Sequence, residues 1–290
     1  MEDFDVTLVF CTFGRTQEVK EFFSALRKNT SDALNLQILV VDQNEAGRLL
    51  PFLPVCPPNW NLEYIRTQTK GICAARNLVL PRIKGKIVAF PDDDCIYCDG
   101  TLNKVVEHFE KEPTLSILLG VWSNIGNPRF NTKYFEKKIG KYSLFYKGEA
   151  FVQFYRKEMV EKIGLFDDTF GPGENSLYKY GGDDSDYLAR GVLYGAKTFR
   201  CSDIHVLHPE QKLTSFSAEK ICGYGICRMV LLKKLAYPFW FKAANVLYPL
   251  ARLVISAPSS YRYYYFMFCG RLKGIFTTFA KNSGKCIRDL

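Results

Sequence analysis

A chain of 290 residues with 47% hydrophobic and 15% aromatic side chains can bury one large core, alone or with an appendage. Its start, Met1-Glu2-Asp3-Phe4-Asp5, has no basic stretch followed by an apolar one, which speaks against a secretory signal. The net charge of +9 arises wholly in the last eighty residues, whose apolar stretches are too often interrupted for a membrane-spanning helix. The ten cysteines show no repeated metal spacing and read as reduced, mostly buried thiols. Cys95-Ile96-Tyr97-Cys98 is a lone CxxC, and Cys222 and Cys227 are spaced too widely to complete a zinc site with it.

In chain order, Val6 to Phe10 predicts a buried strand, followed by the loop Cys11-Thr12-Phe13-Gly14-Arg15. A helix follows from about Thr16 to Lys28, with Val19, Phe22, Phe23 and Leu26 at helical spacing. Gln37 to Val41 predicts a second strand, ending in Asp42-Gln43-Asn44. Four prolines between 51 and 58 mark an irregular connection, and Leu62 to Arg66 a third strand. Ile72 to Leu80 reads as a helix entered through Gly71 and closed by Pro81. A fourth strand ends at Phe90, a helix spans Thr101 to Lys111, and a strand runs from Leu115 to Val121. This βαβ rhythm predicts an α/β fold with a doubly wound, mostly parallel sheet.

Further along, Ala150 to Tyr155 predicts a strand and Glu158 to Ile163 a short helix. Gly171-Pro172-Gly173 and Gly181-Gly182 bracket a loop, after which Asp183-Asp184-Ser185-Asp186 opens a helix closed by Gly195. One of these carboxylates could simply cap the helix, but two together behind a Gly-Gly hinge ask for more. Lys197 to Leu207 predicts a last strand, delivering His205 and His208.

The strongest single signal is Lys86-Ile87-Val88-Ala89-Phe90-Pro91-Asp92-Asp93-Asp94, an apolar strand ending in three carboxylates. Like charges this close repel one another, and a hard divalent cation shared with substrate phosphates would relieve them. In open α/β sheets ligands bind outside the carboxyl ends of the strands, where Thr12, Asp42 and Asp92 to Asp94 all fall.

Residues 1–210 carry 26 Lys/Arg and 28 Asp/Glu, whereas residues 211–290 carry 13 Lys/Arg against only Glu219 and Asp289. The same tail holds 15 of the 43 aromatic residues, among them Trp240 and the run Tyr263-Tyr264-Tyr265-Phe266. Basic residues interleaved with aromatic ones suit an anionic membrane surface. Single-stranded nucleic acid is the rival partner, and plain packing of basic helices the other alternative. The expected organisation is a catalytic domain over 1–210 and a basic, aromatic-rich helical extension over 211–290.

Several short motifs in order resemble family-2 glycosyltransferases of the GT-A fold, of the bacterial surface-glycan type. They are Thr12-Phe13-Gly14-Arg15, Val40-Val41-Asp42-Gln43-Asn44, Gly71 through Arg76-Asn77, and Phe90-Pro91-Asp92-Asp93-Asp94. Downstream come Gly164-Leu165-Phe166-Asp167, Gly171-Pro172-Gly173, Gly182-Asp183-Asp184 and His208-Pro209. Each is weak alone, and six or more in order are specific. The resemblance implies an inverting transfer from a nucleoside-diphosphate sugar, a UDP-sugar first, with Mn²⁺ or Mg²⁺ as cofactor; the tail points to a glycan or lipid-linked acceptor. It implies that Thr12, Arg15 and Asp42 line the nucleoside with Gly71, Arg76 and Asn77 nearby, and that Asp92 and Asp93 meet the ribose and diphosphate. Asp94, with His208, would hold the metal, Asp183 would position the acceptor, and Asp184 would be the base. From the basic, aromatic tail and the N-terminus, the expected place is the cytoplasm, peripheral at the inner face of the cell membrane, with no nucleic acid bound.

The chain departs from the family pattern twice. Asp183-Asp184 stands where Glu-Asp is usual, and Gly14 where Asn is common, so acceptor positioning and donor contacts are the roles affected. A nucleotidyltransferase is the nearest competitor, but it would want a Gly-rich phosphate loop and a Lys near the first strand, where only Gly14 and Arg15 occur. A non-catalytic membrane- or nucleic-acid-binding module would leave Asp92 to Asp94 and Asp184 without a purpose.

Overall fold

The computed structural model describes residues 4–130, 133, 135–145, 148–174, 176–210 and 215–278. Met1 to Asp3, and residues 211–214 and 279–290 of the basic extension, lie outside the described residues. The chain divides into two compact units. The first comprises residues 1–70, 74–165 and 187–210, and the second residues 71–73, 166–186 and 211–290.

The first unit is built on a nine-stranded sheet. Its strands are β1 (Val6–Thr12), β2 (Leu36–Asp42), β3 (Trp60–Arg66), β4 (Ile87–Ala89), β5 (Ile96–Tyr97), β6 (Ile117–Asn124), β7 (Glu136–Lys138), β8 (Gln153–Arg156) and β9 (Thr198–His208). Their order is β3-β2-β1-β4-β8-β6-β9-β5, with β7 added on β9. β1 pairs in parallel with β2 and β4, and β2 with β3. β8 is antiparallel to both β4 and β6, and β6 is parallel to β9. Two reversals cancel, so β1, β2, β3, β4, β6 and β9 all run in one direction. Their carboxyl ends therefore share an edge, and on that edge stand Thr12, Asp42, the Asp92–Asp94 loop, Asn124 and His208.

Helices α1 (Gln17–Asn29), α3 (Thr101–Lys111) and α4 (Lys157–Ile163) belong to this unit. β1 and β2 are buried at every position, as strands covered on both faces must be. Val19, Phe22, Phe23 and Leu26 of α1 form the buried stripe that their spacing predicts. Phe22 and Phe23 meet Phe10 at ring-centroid distances of 4.7 and 5.0 Å, contacts worth roughly 0.5–1.5 kcal/mol each beyond their burial. The expected strand over Ala150 to Tyr155 begins instead as a 3₁₀ turn, Ala150–Val152, and only Gln153–Arg156 joins the sheet. β5 and β7 have no counterpart in the sequence expectations, being only two and three residues long.

The second unit holds α6 (Ala218–Lys234), α7 (Phe239–Ile255) and α8 (Tyr261–Phe276). α2 (Ile72–Val79) and α5 (Asp183–Leu193) each begin in this unit and continue in the first. α6 is capped by Ser217, whose hydroxyl accepts a hydrogen bond from the Lys220 amide at 3.1 Å. α6 and α8 approach through glycines: a Cβ on Gly270 would overlap the Cys222 backbone, and one on Gly225 would lie 2.8 Å from the Met267 carbonyl. Among the described residues no helix is long and apolar enough to cross a membrane.

Candidate functional site

The shared edge of the first unit gathers most of the predicted residues. β1 delivers Thr12, whose hydroxyl donates to Asp93 Oδ2 at 2.7 Å. Arg15, three residues on, bonds to Asp93 and lies 2.8 Å from Asp94 Oδ2. β9 delivers His208, whose Nε2 is 3.2 Å from Asp94 Oδ1 and 3.7 Å from Asp92 Oδ2. The ligand atoms of Asp92, Asp94 and His208 all lie within 4.8 Å of one another. Arg76 from α2 is buried, with its guanidinium 5.7 Å over the Phe90 ring and 3.9 Å from Asp92 Oδ1. Asn77 follows on the same helix and is half-buried.

The electrostatics separate two neighbours. Burial drives the Asp93 carboxyl above the usual range, and its bonds to Thr12 and Arg15 only partly offset this. Burial acts on Asp94 too, but His208 and Arg15 together outweigh it and hold Asp94 below that range. Burial lowers His208, and the Asp94 and Asp92 carboxylates more than reverse it, leaving the imidazole raised. Arg15 is raised as well, because the pull of Asp93 and Asp94 exceeds the cost of its burial.

Asp42 closes β2 and is fully buried. Its Oδ1 accepts from the Asn44 amide and side chain at 2.8 and 2.7 Å, and its Oδ2 from the Tyr64 hydroxyl at 2.7 Å. Burial and the Asp42 contact push the Tyr64 hydroxyl up to about 12, so it stays a donor. Asn44 in turn accepts from the Gly14 amide at 2.7 Å. Beside this network opens a cavity of about 350 Å³ lined by Phe13, Gln43, Asn44, Arg66, Thr67 and Lys70.

Gly71, Asp183 and Asp184 fall in the second unit. Gly71 bridges Gly173, and the Ile72 amide donates to Pro172 O at 3.0 Å. Asp183 and Asp184 open α5, Asp183 buried and Asp184 half-buried. Gly171, at φ 78°, sits so close that a Cβ there would lie 2.8 Å from the Asp183 carboxyl.

Three contacts escaped the sequence analysis. His208 is stacked on Phe151, and Trp122 stands edge-on to it with centroids 6.1 Å apart. Lys234 of α6 bridges Asp167 and Asp186, at 2.6 Å each, with all three side chains buried. Asp167 and Asp186 both lay in runs singled out from the sequence, and no spacing rule links either to position 234.

No curated protein matches the chain in sequence. Among solved structures it is similar to S. aureus TarS 1-349 in complex with UDP-GlcNAc, with TM-score 0.62 and 12% identity over 93% of this chain and 91% of that one. It is also similar to the mannosyltransferase PcManGT from Pyrobaculum calidifontis in complex with GDP-Man and Mn²⁺, with TM-score 0.63 and 14% identity over 93% and 87%. These likenesses bear out the α/β fold of GT-A type, with its mostly parallel sheet and helical C-terminal part. The family model described as "Glycosyl transferase family 2" matches residues 7–178, from the first strand through the loop before α5, and the chain belongs to that family.

Proposed function

We propose that the protein is an inverting, metal-dependent glycosyltransferase acting on a hydroxyl of a glycan or lipid-linked acceptor. The observation that carries this reading is the convergence of Asp92, Asp94 and His208 beside Arg15 and Thr12. Two carboxylates and an imidazole are a donor set that fits Mn²⁺ or Mg²⁺, the nitrogen favouring Mn²⁺. Asp94 and His208 would hold the ion with Asp92 beside them, and when bound it supplies Lewis-acid neutralisation of the diphosphate.

Donor binding is assigned to Thr12, Arg15, Asp42, Gly71, Arg76, Asn77, Asp92 and Asp93, with the polar cavity beside Asn44 for the nucleoside. The nucleotide sugars held by the two similar structures support that donor class, UDP-sugars first. Asp184 accepts the proton of the attacking hydroxyl, and Asp183 positions that acceptor. The new bond forms at the anomeric carbon from the face opposite the nucleoside diphosphate, which leaves with the electrons of the broken C–O bond. The configuration is thereby inverted.

Residues 1–210 form the catalytic part in this reading, and residues 211–290 rest peripherally on the cytoplasmic face of the cell membrane. α7 and α8 carry no acidic side chain, and Phe239, Trp240, Val254, Ile255 and Phe276 are exposed. The test is a panel of sugar nucleotides with Mn²⁺, scored by thermal shift and by release of nucleoside diphosphate. One donor should stabilise the protein and be turned over, and chelator or Asp94→Ala should abolish turnover. Full activity in excess chelator, or no response to any sugar nucleotide, overturns the reading.

A further inference from the structure

A second cluster of metal-ligating side chains lies in the first unit, away from the shared edge. β6 and β9 pair in register up to Leu119 and Arg200, then resume at Val121 and His205. A single residue of β6, Gly120, thus faces the four residues Cys201 to Ile204 of β9. The bulge depends on that glycine, since a Cβ at 120 would lie 2.8 Å from both the Ile204 side chain and its carbonyl oxygen. Bulges re-aim side chains and recur beside functional sites.

Here the bulge brings Cys201 and Asp203 to His108 on α3. His108 Nε2 lies 3.0 Å from Asp203 Oδ2, and the ligand atoms of His108, Cys201 and Asp203 are all within 4.8 Å of one another. Cys201 is fully buried in the core, whereas the side chains of His108 and Asp203 keep 19% and 29% of their surface. The cluster is therefore closed on the sulfur side and open on the other, as an ion needs for entry. None of the three has a part in the proposed transfer reaction.

We propose that His108, Cys201 and Asp203 form a zinc site, completed by a solvent molecule, that staples the β9 bulge to α3. One thiolate, one imidazole and one carboxylate suit zinc better than the harder Mg²⁺ or Mn²⁺. Tetrahedral zinc spaces such ligand atoms by about 3.3–3.6 Å, given its usual bond lengths. The present 3.0 Å His–Asp contact needs only a small widening to reach that spacing, and the sulfur already lies within 4.8 Å of both ligand atoms. On binding, the Cys201 thiol releases its proton to solvent and His108 binds as the neutral imidazole. Its strand ligands Cys201 and Asp203 lie seven and five residues before His208, so the staple also steadies the strand that carries a residue of the candidate site.

The test uses the full chain, reduced and stripped of metal, titrated with Co²⁺ as a spectroscopic substitute and then with Zn²⁺. A thiolate-to-cobalt charge-transfer band should grow to one equivalent and be bleached by Zn²⁺. Cys201→Ser should lose the band, whereas Asp94→Ala should keep it, because the cluster at the shared edge has no thiolate. His108→Gln, at a partly exposed position, leaves the thiol in place and should weaken Co²⁺ and Zn²⁺ binding at least tenfold, with circular dichroism unchanged. Absence of the band at saturating Co²⁺, its survival in Cys201→Ser, or wild-type affinity in folded His108→Gln overturns the proposal.

Discussion

The imidazole of His208 lies flat on the ring of Phe151, with centroids 4.4 Å apart and planes within 4° of each other. The stack fixes the ring plane while the Nε2–H held by Asp94 fixes its heading, so the direction along which Nε2 meets an ion, once that proton leaves, is set before any ion arrives. Phe151→Leu keeps an apolar side chain and removes the flat surface. Isothermal titration should then show Mn²⁺ bound about 10–100-fold more weakly, the usual effect of losing an orienting contact. Unchanged affinity would reduce the stack to core packing.

Asp184→Asn keeps the shape of the proposed base and removes its basicity. Donor binding should survive while the transfer rate falls by ~10²–10⁴. Asp183→Asn should act mainly on acceptor KM. Near wild-type turnover in Asp184→Asn, with Asp183→Asn or Asp186→Asn inactive, would assign the base to another carboxylate of α5.

Lys234 pairs with both Asp167 and Asp186, at 2.6 Å each. Lys234→Met would leave two buried carboxylates facing a thioether. A loss of about 3–5 kcal/mol is expected from denaturant unfolding, because removing one partner of a buried ion pair costs more than the pair contributes.

The same cluster predicts a pH dependence. Burial raises the Asp167 carboxyl, but the charge and hydrogen bond of Lys234 outweigh that and leave it below its ordinary value of 3.8. A depressed carboxyl stabilises the fold above its unfolded value, and that contribution fades as the pH falls below about 3.8. Melting temperatures measured from pH 5 downward should fall more steeply for the wild type than for Asp167→Asn. Parallel curves would show that Asp167 is not held ionised.

Phe239 and Trp240 are exposed at the start of α7, with Lys242 close behind. Co-sedimentation with anionic vesicles should weaken as salt rises, since surface charge is screened within about 8 Å at physiological ionic strength. Replacing both aromatics with Ala should cut vesicle partitioning at least tenfold, given about 1.5–3 kcal/mol per fully buried side chain. Binding that ignores both changes would leave the basic extension with a packing role alone.

The sequence makes the first half of the sheet legible because β1, β2 and β4 are buried throughout and lead into polar residues. Ile87–Ala89 before Asp92 and Leu36–Asp42 are read almost at their bounds. Helix α3 is read at its bounds, between the left-handed Gly100 and the turn before Pro113. What stays hidden is pairing between distant segments. His108, Cys201 and Asp203 come together only through a bulge opposite Gly120, and no spacing in the chain announces it. The Lys234 bridge is hidden for the same reason, as is the reversal of β8 that lets β6 and β9 run with β4.

The insertion of β8 beside β4 also sets an order of events during synthesis. β4 is flanked by β1, already made, and by β8, whose residues Gln153–Arg156 follow about sixty positions later. At about 5–20 residues per second the ribosome delivers that partner roughly 3–13 s after β4. For that interval Ile87, Val88 and Ala89 present an unpaired apolar edge next to the three aspartates. Asp92, Asp93 and Asp94 are placed to guard this edge, their charges repelling a second nascent chain that would pair there.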